Sequence, residues 1–128
     1  MNLSSILGNT RRSDISFFSS GRIDITSHIV NALGIRKGDV LDIMHGDGEF
    51  YLYVAVNADD ISCGRHQAQC YPSKQGAKHF RAYSRRLCSV MLRECGGDRR
   101  VSLAAGAVAY INGHKAIHII TRKIISGQ

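Results

Sequence analysis

The stretch Gly21-Arg22-Ile23-Asp24-Ile25-Thr26-Ser27-His28-Ile29-Val30-Asn31-Ala32-Leu33-Gly34-Ile35-Arg36-Lys37-Gly38-Asp39-Val40-Leu41-Asp42-Ile43 changes its hydrophobic period twice. Arg22 to Thr26 alternates apolar and polar residues with period two, which is a strand. Ile29, Val30 and Leu33 then fall on one face of a short helix, which Thr26 or Ser27 can N-cap by accepting an orphan backbone N–H. Gly34 supplies the left-handed residue that stops a helix. Lys37-Gly38-Asp39 is a turn, and Val40 to Met44 is again a strand. Strand, short helix and strand inside some twenty residues leave no room for a long crossover, so the sheet is expected to be built from short strands and tight turns.

Outward from this stretch the same grammar continues. Ile15 to Phe18 is a short strand ahead of the turn Ser19-Ser20-Gly21. Gly46-Asp47-Gly48 is a tight hairpin turn leading into a strand from Glu49 to Val56. On that strand Phe50, Leu52, Val54 and Val56 share one side, and Tyr51, Tyr53 and Ala55 the other. Residues 57–78 are polar and contain Pro72, the only proline, and read as a long loop of linker or functional character. A second series then begins with a strand from His79 to Tyr83. Ser84 caps a helix running to about Cys95, with Leu87, Val90 and Met91 along one stripe, and Gly96-Gly97 ends it. Arg100 to Ala104 is a strand. Ala107 to Ile111 and Lys115 to Arg122 form a hairpin about Asn112-Gly113, the dipeptide that favours both left-handed turn positions.

Set side by side, the two series share an order. Ile23–Ser27 matches Phe80–Ser84, Gly38-Asp39 matches Gly97-Asp98, and Tyr51–Val54 matches Ile117–Ile120. This is an internal duplication of pattern rather than of identity. The expected fold is mainly β with two short helices, a β-barrel built from two similar halves. Residues 1–14 form an N-terminal tail and 15–128 a single domain, with half one over 15–56, the loop over 57–78 and half two over 79–122.

The quoted stretch resembles the AbrB/MazE/SpoVT family. Gly21-Arg22, the helix ending Leu33-Gly34-Ile35, and Gly38-Asp39 after it carry the resemblance, which spans residues 15–56. It departs from the family pattern at Thr26, where proline is usual, and at Val30, where arginine is usual. The resemblance implies a swapped-hairpin, cradle-loop barrel, and DNA binding in transcription regulation. That barrel class is usually a homodimer of one unit. A single chain holding two units would be a monomeric pseudo-dimer.

Charge points the same way on independent grounds. The 128 residues carry 17 Lys and Arg against 10 Asp and Glu, a formal charge of +7. Residues 1–56 are nearly balanced, so the excess lies in the second half, with nine bases and two acids between Arg65 and Arg100. Such a cluster attracts polyanions. Lys and Arg neutralise phosphates, and Arg does so through two parallel N–H donors. Arg81, Arg85 and Arg86 straddle the start of the second helix. Arg22, Arg36 and Lys37 are their equivalents by the family motif. These six residues are the expected DNA contacts, and duplex DNA is the expected partner. For each one alone, a solvated surface charge is the simpler explanation. Aromatic residues are thinly interleaved with these bases, so a platform for stacking single strands is not expected. The alternative is a non-catalytic protein-interaction module on the same barrel.

Other chemistry is weaker. Cys63, His66, Cys70 and His79 offer soft ligands, but their spacings are wide and there is no C-x₂-C pair, so no metal or cofactor is expected. His28, His45, His114 and His118 are scattered. His45 near Asp47 could act as a base with its orienter, but both residues suit a hairpin. There is no nucleophile elbow or P-loop, and no enzymatic activity is expected. A hydrophobic share of 44% suffices for a core burying roughly two-thirds of the unfolded surface. No apolar run approaches the ~20 residues of a membrane span. The first ten residues lack a basic n-region. The chain therefore reads as cytoplasmic, with its cysteines reduced. All four thiols are expected to react after denaturation without reductant, and elemental analysis is expected to find no zinc. Stoichiometric zinc would overturn that reading.

Overall fold

The computed structural model describes residues 13–61 and 66–121. The strands are β1 (Ile15–Phe18), β2 (Arg22–Ile25), β3 (Val40–Gly46), β4 (Glu49–Val56), β5 (Tyr71–Pro72), β6 (Phe80–Tyr83), β7 (Arg100–Ile111) and β8 (His114–Ile120). Helix α1 (Ser27–Leu33) follows β2, and α2 (Arg85–Cys95) follows β6. All eight strands join one antiparallel sheet in the order β3-β4-β8-β7-β1-β2-β6-β5. The sheet curls into an open half-barrel with a single core. Ile15, Phe17, Ile23 and Ile25 of the first series lie in that core with Leu52, and with Ile117 and Ile119 of the second. Helix α1 adds Ile29, Val30 and Leu33, and α2 adds Cys88, Met91 and Leu92.

The curl comes from β7. Its residues Arg100–Leu103 pair with β1, and from Ala104 onward it pairs with β8. The register slips between Ala105 and Val108, a bulge that bends the strand from one partner toward the other. Gly106 lets His118 pack closely at that bulge. A Cβ there would lie 3.2 Å from Nδ1 and 3.4 Å from Cβ of His118. What the pattern shows as two short strands, Arg100–Ala104 and Ala107–Ile111, is thus one bent strand.

Corresponding strands of the two series pair with each other. β2 opposes β6 with Ile23 beside Ala82 and Ile25 beside Phe80. β4 opposes β8 with Phe50 beside Ile119 and Leu52 beside Ile117. Phe50 and Leu52 are the buried residues of β4, and on β8 Ile117 and Ile119 are buried on one face, with Ala116 also buried. The sequence match of Tyr51–Val54 to Ile117–Ile120 is therefore one residue out of phase. In a strand, one residue exchanges the core face for the solvent face.

The polar stretch after β4 holds more structure than a loop. A 3₁₀ turn spans Ala58–Asp60. The segment leading into β5 lies against the start of β3, where Leu41 N donates to Ala68 O at 3.0 Å and Cys70 N to Asp39 O at 2.8 Å. Gly38 N in turn donates to Cys70 O at 2.7 Å. This short ladder covers part of an edge strand that would otherwise expose unpaired amides. It turns Ala68 and Cys70 inward.

Two buried carboxylates tie loops to this framework. Asp14, 4% exposed, accepts from Ala105 N at 2.7 Å, and its carbonyl accepts from Thr26 N and Thr26 Oγ1. It belongs to the fold rather than to a tail. Thr26 occupies the N-cap of α1 but spends its hydroxyl on Asp14, whereas Ser84 caps α2 by accepting from Leu87 N at 3.1 Å. Asp39, 1% exposed, accepts from Arg36 N at 2.7 Å and Ala58 N at 2.8 Å. Its carbonyl also accepts from the Cys70 thiol at 3.1 Å. Burial, and then the Asp39 charge, push the Cys70 thiol up to about 12.

Among the described residues no disulfide forms, and no helix is long and apolar enough to cross a membrane. Cys63, Arg65 and Arg122 lie outside them.

Removing the Asp39 carboxylate leaves two part-buried amides without acceptors, at about 1–3 kcal/mol each. Asp39→Ala is expected to lower the urea unfolding free energy by about 3 kcal/mol. Asp42→Ala, at an exposed site, should change it by less than about 0.5 kcal/mol. The Cys70 thiol should resist alkylation at mildly alkaline pH in the native wild type and become reactive in Asp39→Ala. Because its native pKa lies above the unfolded value, the Cys70 contribution to stability is present below the unfolded pKa and lost as pH rises toward 12.

Candidate functional site

Strand alternation sorts β1, β2, β6 and β7 into two faces. Ile15, Phe17, Ile23, Ile25, Phe80, Ala82, Val101 and Leu103 point into the core. Ser16, Phe18, Arg22, Asp24, Arg81, Tyr83, Arg100 and Ser102 therefore occupy the outer, convex face. The register sets their neighbours. One row runs Tyr83 beside Arg22, with Phe18 beside Arg100. The next runs Tyr71 beside Arg81, Arg81 beside Asp24, Asp24 beside Ser16 and Ser16 beside Ser102. The result is a surface on which cations and aromatic rings alternate.

The side chains on this face are held in place. The Arg22 guanidinium lies 4.0 Å from the Phe18 ring centroid, and that of Arg100 lies 6.0 Å away on the same ring. Asp24 Oδ1 accepts from Arg81 Nε at 3.0 Å and faces Arg22 Nε at 3.4 Å. Two arginines thus share one aspartate, each keeping outer N–H donors for another acceptor. Across Arg81, Tyr71 and Tyr83 stand 44% and 59% exposed. Together with His66, Gln69, Pro72 and Ser73 they line a groove of about 480 Å³.

The six basic residues singled out from the sequence do not share one surface. Arg22 and Arg81 meet at Asp24. Arg85 joins them at the β1–β2 turn, where a Cβ on Gly21 would come within 2.9 Å of its Cγ. Arg36 lies apart, donating to Asp59 at 2.7 Å, and that bond and charge raise its already high pKa. Lys37 is exposed beside it. Arg86 borders a different groove, of about 510 Å³, between α2 and the β3–β4 hairpin. Ile43, Phe50, Leu87, Val90 and Met91 supply its apolar lining, with Asp42 and His45 among the polar members. The helix stripe read from the sequence is rotated. Cys88, Met91 and Leu92 are buried, while Leu87 and Val90 are half-buried at this groove.

Arg100, Phe18, Tyr71 and Tyr83 were not singled out from the sequence. Strand parity could have found three of them, since Phe18 alternates with Phe17, Tyr83 with Ala82 and Arg100 with Val101. Nothing local places Tyr71 beside Arg81.

The histidines go elsewhere. His118 Nε2 lies 2.5 Å from Glu49 Oε2, and its ring tilts against Tyr51 with centroids 5.2 Å apart. His114 sits similarly against Tyr53, at 4.8 Å. His45 stacks on Phe50 at 6.0 Å instead of meeting Asp47, which forms the hairpin turn with φ 53°. His79 Nδ1 accepts from Ser27 N at 3.0 Å. Among the described residues no three His, Cys, Asp or Glu side chains gather as metal ligands.

Comparison of the chain with family models, curated proteins and solved structures gives no match.

Gly21 has φ 97° and a Cβ there would press on Arg85. Gly21→Ala is expected to cost about 1–3 kcal/mol in urea unfolding. In a double-mutant cycle, Arg85→Ala should recover only the part due to its Cγ, leaving the backbone strain.

Proposed function

We propose that this chain is a nucleic-acid-binding protein that holds phosphates on the outer face of β6, β2, β1 and β7. The observation that carries the reading is the cluster of Arg22, Arg81 and Arg100 on one sheet face, with Arg85 at its end. Phosphate oxygens accept two N–H donors from one guanidinium, and a guanidinium already fixed by Asp24 or by Phe18 loses less side-chain freedom when it binds. The formal charge of +7 supplies the long-range attraction. The AbrB-like pattern of residues 15–56 supports duplex DNA as the ligand and transcription regulation as the setting. Pairing of β2 with β6, and of β4 with β8, supports a cradle-loop barrel made of two fused halves, a pseudo-dimer in one chain.

A second reading rests on the apolar groove between α2 and the β3–β4 hairpin. Leu87 and Val90 line it without full burial, so an apolar side chain of a protein partner would find a seat there. Arg86 on its border favours a partner carrying an acidic residue nearby.

Titration with labelled mixed-sequence DNA, annealed and as separated strands, tests the first reading. Log K should fall linearly with log salt, by about 0.9 per phosphate neutralised on duplex and about 0.7 on a single strand. Arg81→Gln together with Arg100→Gln should reduce the slope by about two phosphates' worth and weaken binding to all sequences alike. Arg36→Gln should leave it unchanged, because Arg36 lies beside Asp59 and apart from the β6, β2, β1 and β7 face. No shift with either form at low salt would sink the reading.

A further inference from the structure

We infer that the outer face of β5, β6, β2 and β1 is a stacking platform that prefers single-stranded nucleic acid; the inference rests on the phosphate reading above but replaces its duplex ligand, and it departs from the sequence expectation because cross-strand register gathers rings that are thinly spread along the chain.

Three aromatic rings come to this face from three strands and three separate parts of the sequence. Phe18 belongs to β1, Tyr71 to β5 and Tyr83 to β6. They are interleaved with cations. Tyr71 sits opposite Arg81, Tyr83 sits opposite Arg22, and Arg22 lies over Phe18 at 4.0 Å. Tyr83 is 59% exposed and Tyr71 44%, and neither hydroxyl has a hydrogen-bond partner among the described residues. Burying a tyrosine ring is favourable, so the exposed parts of these two residues are apolar surface available for a ligand. Phe18 is already covered by the Arg22 guanidinium, so Tyr71 and Tyr83 are the rings left to stack on a ligand.

The alternation of ring and cation selects the ligand. A nucleotide carries one flat base and one negative phosphate, so a single strand offers both at every step. A duplex offers the phosphates but hides its base faces in its own stack, leaving Tyr71 and Tyr83 without a role. A neutral sugar would use the rings and leave the arginines without a role. An acidic peptide would do the reverse. Rings on neighbouring strands of an antiparallel sheet stack two or three bases in succession. Diagonal neighbours across such a sheet are about 7–8 Å apart, a separation that one nucleotide step can bridge. The groove of about 480 Å³ between Tyr71 and Tyr83 lies on this path, and its size is that of a small-ligand site. Asp24 carries a negative charge on the same face, but it is shared by Arg22 and Arg81 and leaves the patch positive.

The test uses the full chain. Anisotropy titrations compare labelled oligo(dT) of about twelve nucleotides, oligo(U) of the same length, and oligo(dT) annealed to oligo(dA), all at one low salt concentration. At least one single strand should bind more tightly than the duplex. Tyr71→Ala and Tyr83→Ala should each weaken single-strand binding by about tenfold, with duplex affinity and melting temperature unchanged. Tyr71→Phe and Tyr83→Phe should restore binding, because stacking needs the ring and not the hydroxyl. Arg81→Gln should weaken both forms. The chain has no tryptophan and five tyrosines, so stacking is also visible as quenching of tyrosine emission, which the two alanine variants should reduce. Alanine variants that bind single strands like the wild type, or a duplex bound as tightly as either single strand, would overturn the platform. In that event an Arg81→Gln defect on duplex would leave the phosphate reading standing. Binding to neither form removes both.

Discussion

Strand β7 must serve two partners, and the architecture depends on how it does so. Arg100–Leu103 are hydrogen-bonded to β1, and the stretch beyond them to β8, with the bulge at Gly106-Ala107 between. A twelve-residue strand without the bulge would have kept one register along its length. The extra residue increases the local twist and helps turn the sheet around one core, which Ile15 and Phe17 share with Ile117 and Ile119. At the bulge the His118 ring packs close to Gly106, where a Cβ would press on it. His118 is itself paired with Glu49 and set against Tyr51, so the bend is anchored from β4 as well as from β8.

Polar groups divide into two roles by burial. Asp14 and Asp39 are enclosed, and each accepts backbone amides of chain segments distant in sequence. Leaving such amides unmet is costly, so these carboxylates act on stability. Asp24 is about one-third exposed, and its two arginine contacts are screened by water. Exposed ion pairs contribute roughly 0–1 kcal/mol, too little to hold a fold. What Asp24 does is orient, keeping Arg22 and Arg81 against the sheet between Phe18, Tyr71 and Tyr83. The same carboxyl chemistry therefore builds the core scaffold in one place and a presenting surface in another.

The two helices show how a repeated pattern can diverge once folded. Helix α1 packs on β7 and β8, whereas α2 packs on β1, β2 and β7 and leaves a groove toward β3 and β4. Helix α2 is four residues longer, and its buried stripe is centred on Cys88, Met91 and Leu92. Leu87 and Val90 consequently turn from core positions to groove positions. Periodicity alone does not distinguish these, because all five residues fall within one broad apolar arc.

Much of the local structure was determined by the sequence by itself. Period-two runs, Ser84 ahead of an apolar stripe, Gly34 and Gly96 behind one, and Asp47-Gly48 and Asn112-Gly113 between apolar runs specify helices and turns through φ/ψ preference and short-range hydrogen bonding. The phase of the last strand, the bend in β7 and the strand inside the polar stretch escaped that reading. Each depends on a partner far along the chain: Phe50 against Ile119, Gly106 against His118, Tyr71 against Arg81. The candidate surface is of the same kind. Arg22, Arg81 and Arg85 were legible as charges, but their rings come from positions 18, 71 and 83, which only cross-strand register places together. Arg36 was equally legible but sits away from that face beside Asp59, a contact that a turn between distant segments creates. Local preference needs only neighbouring residues, while a binding face needs the sheet that brings its parts to one side.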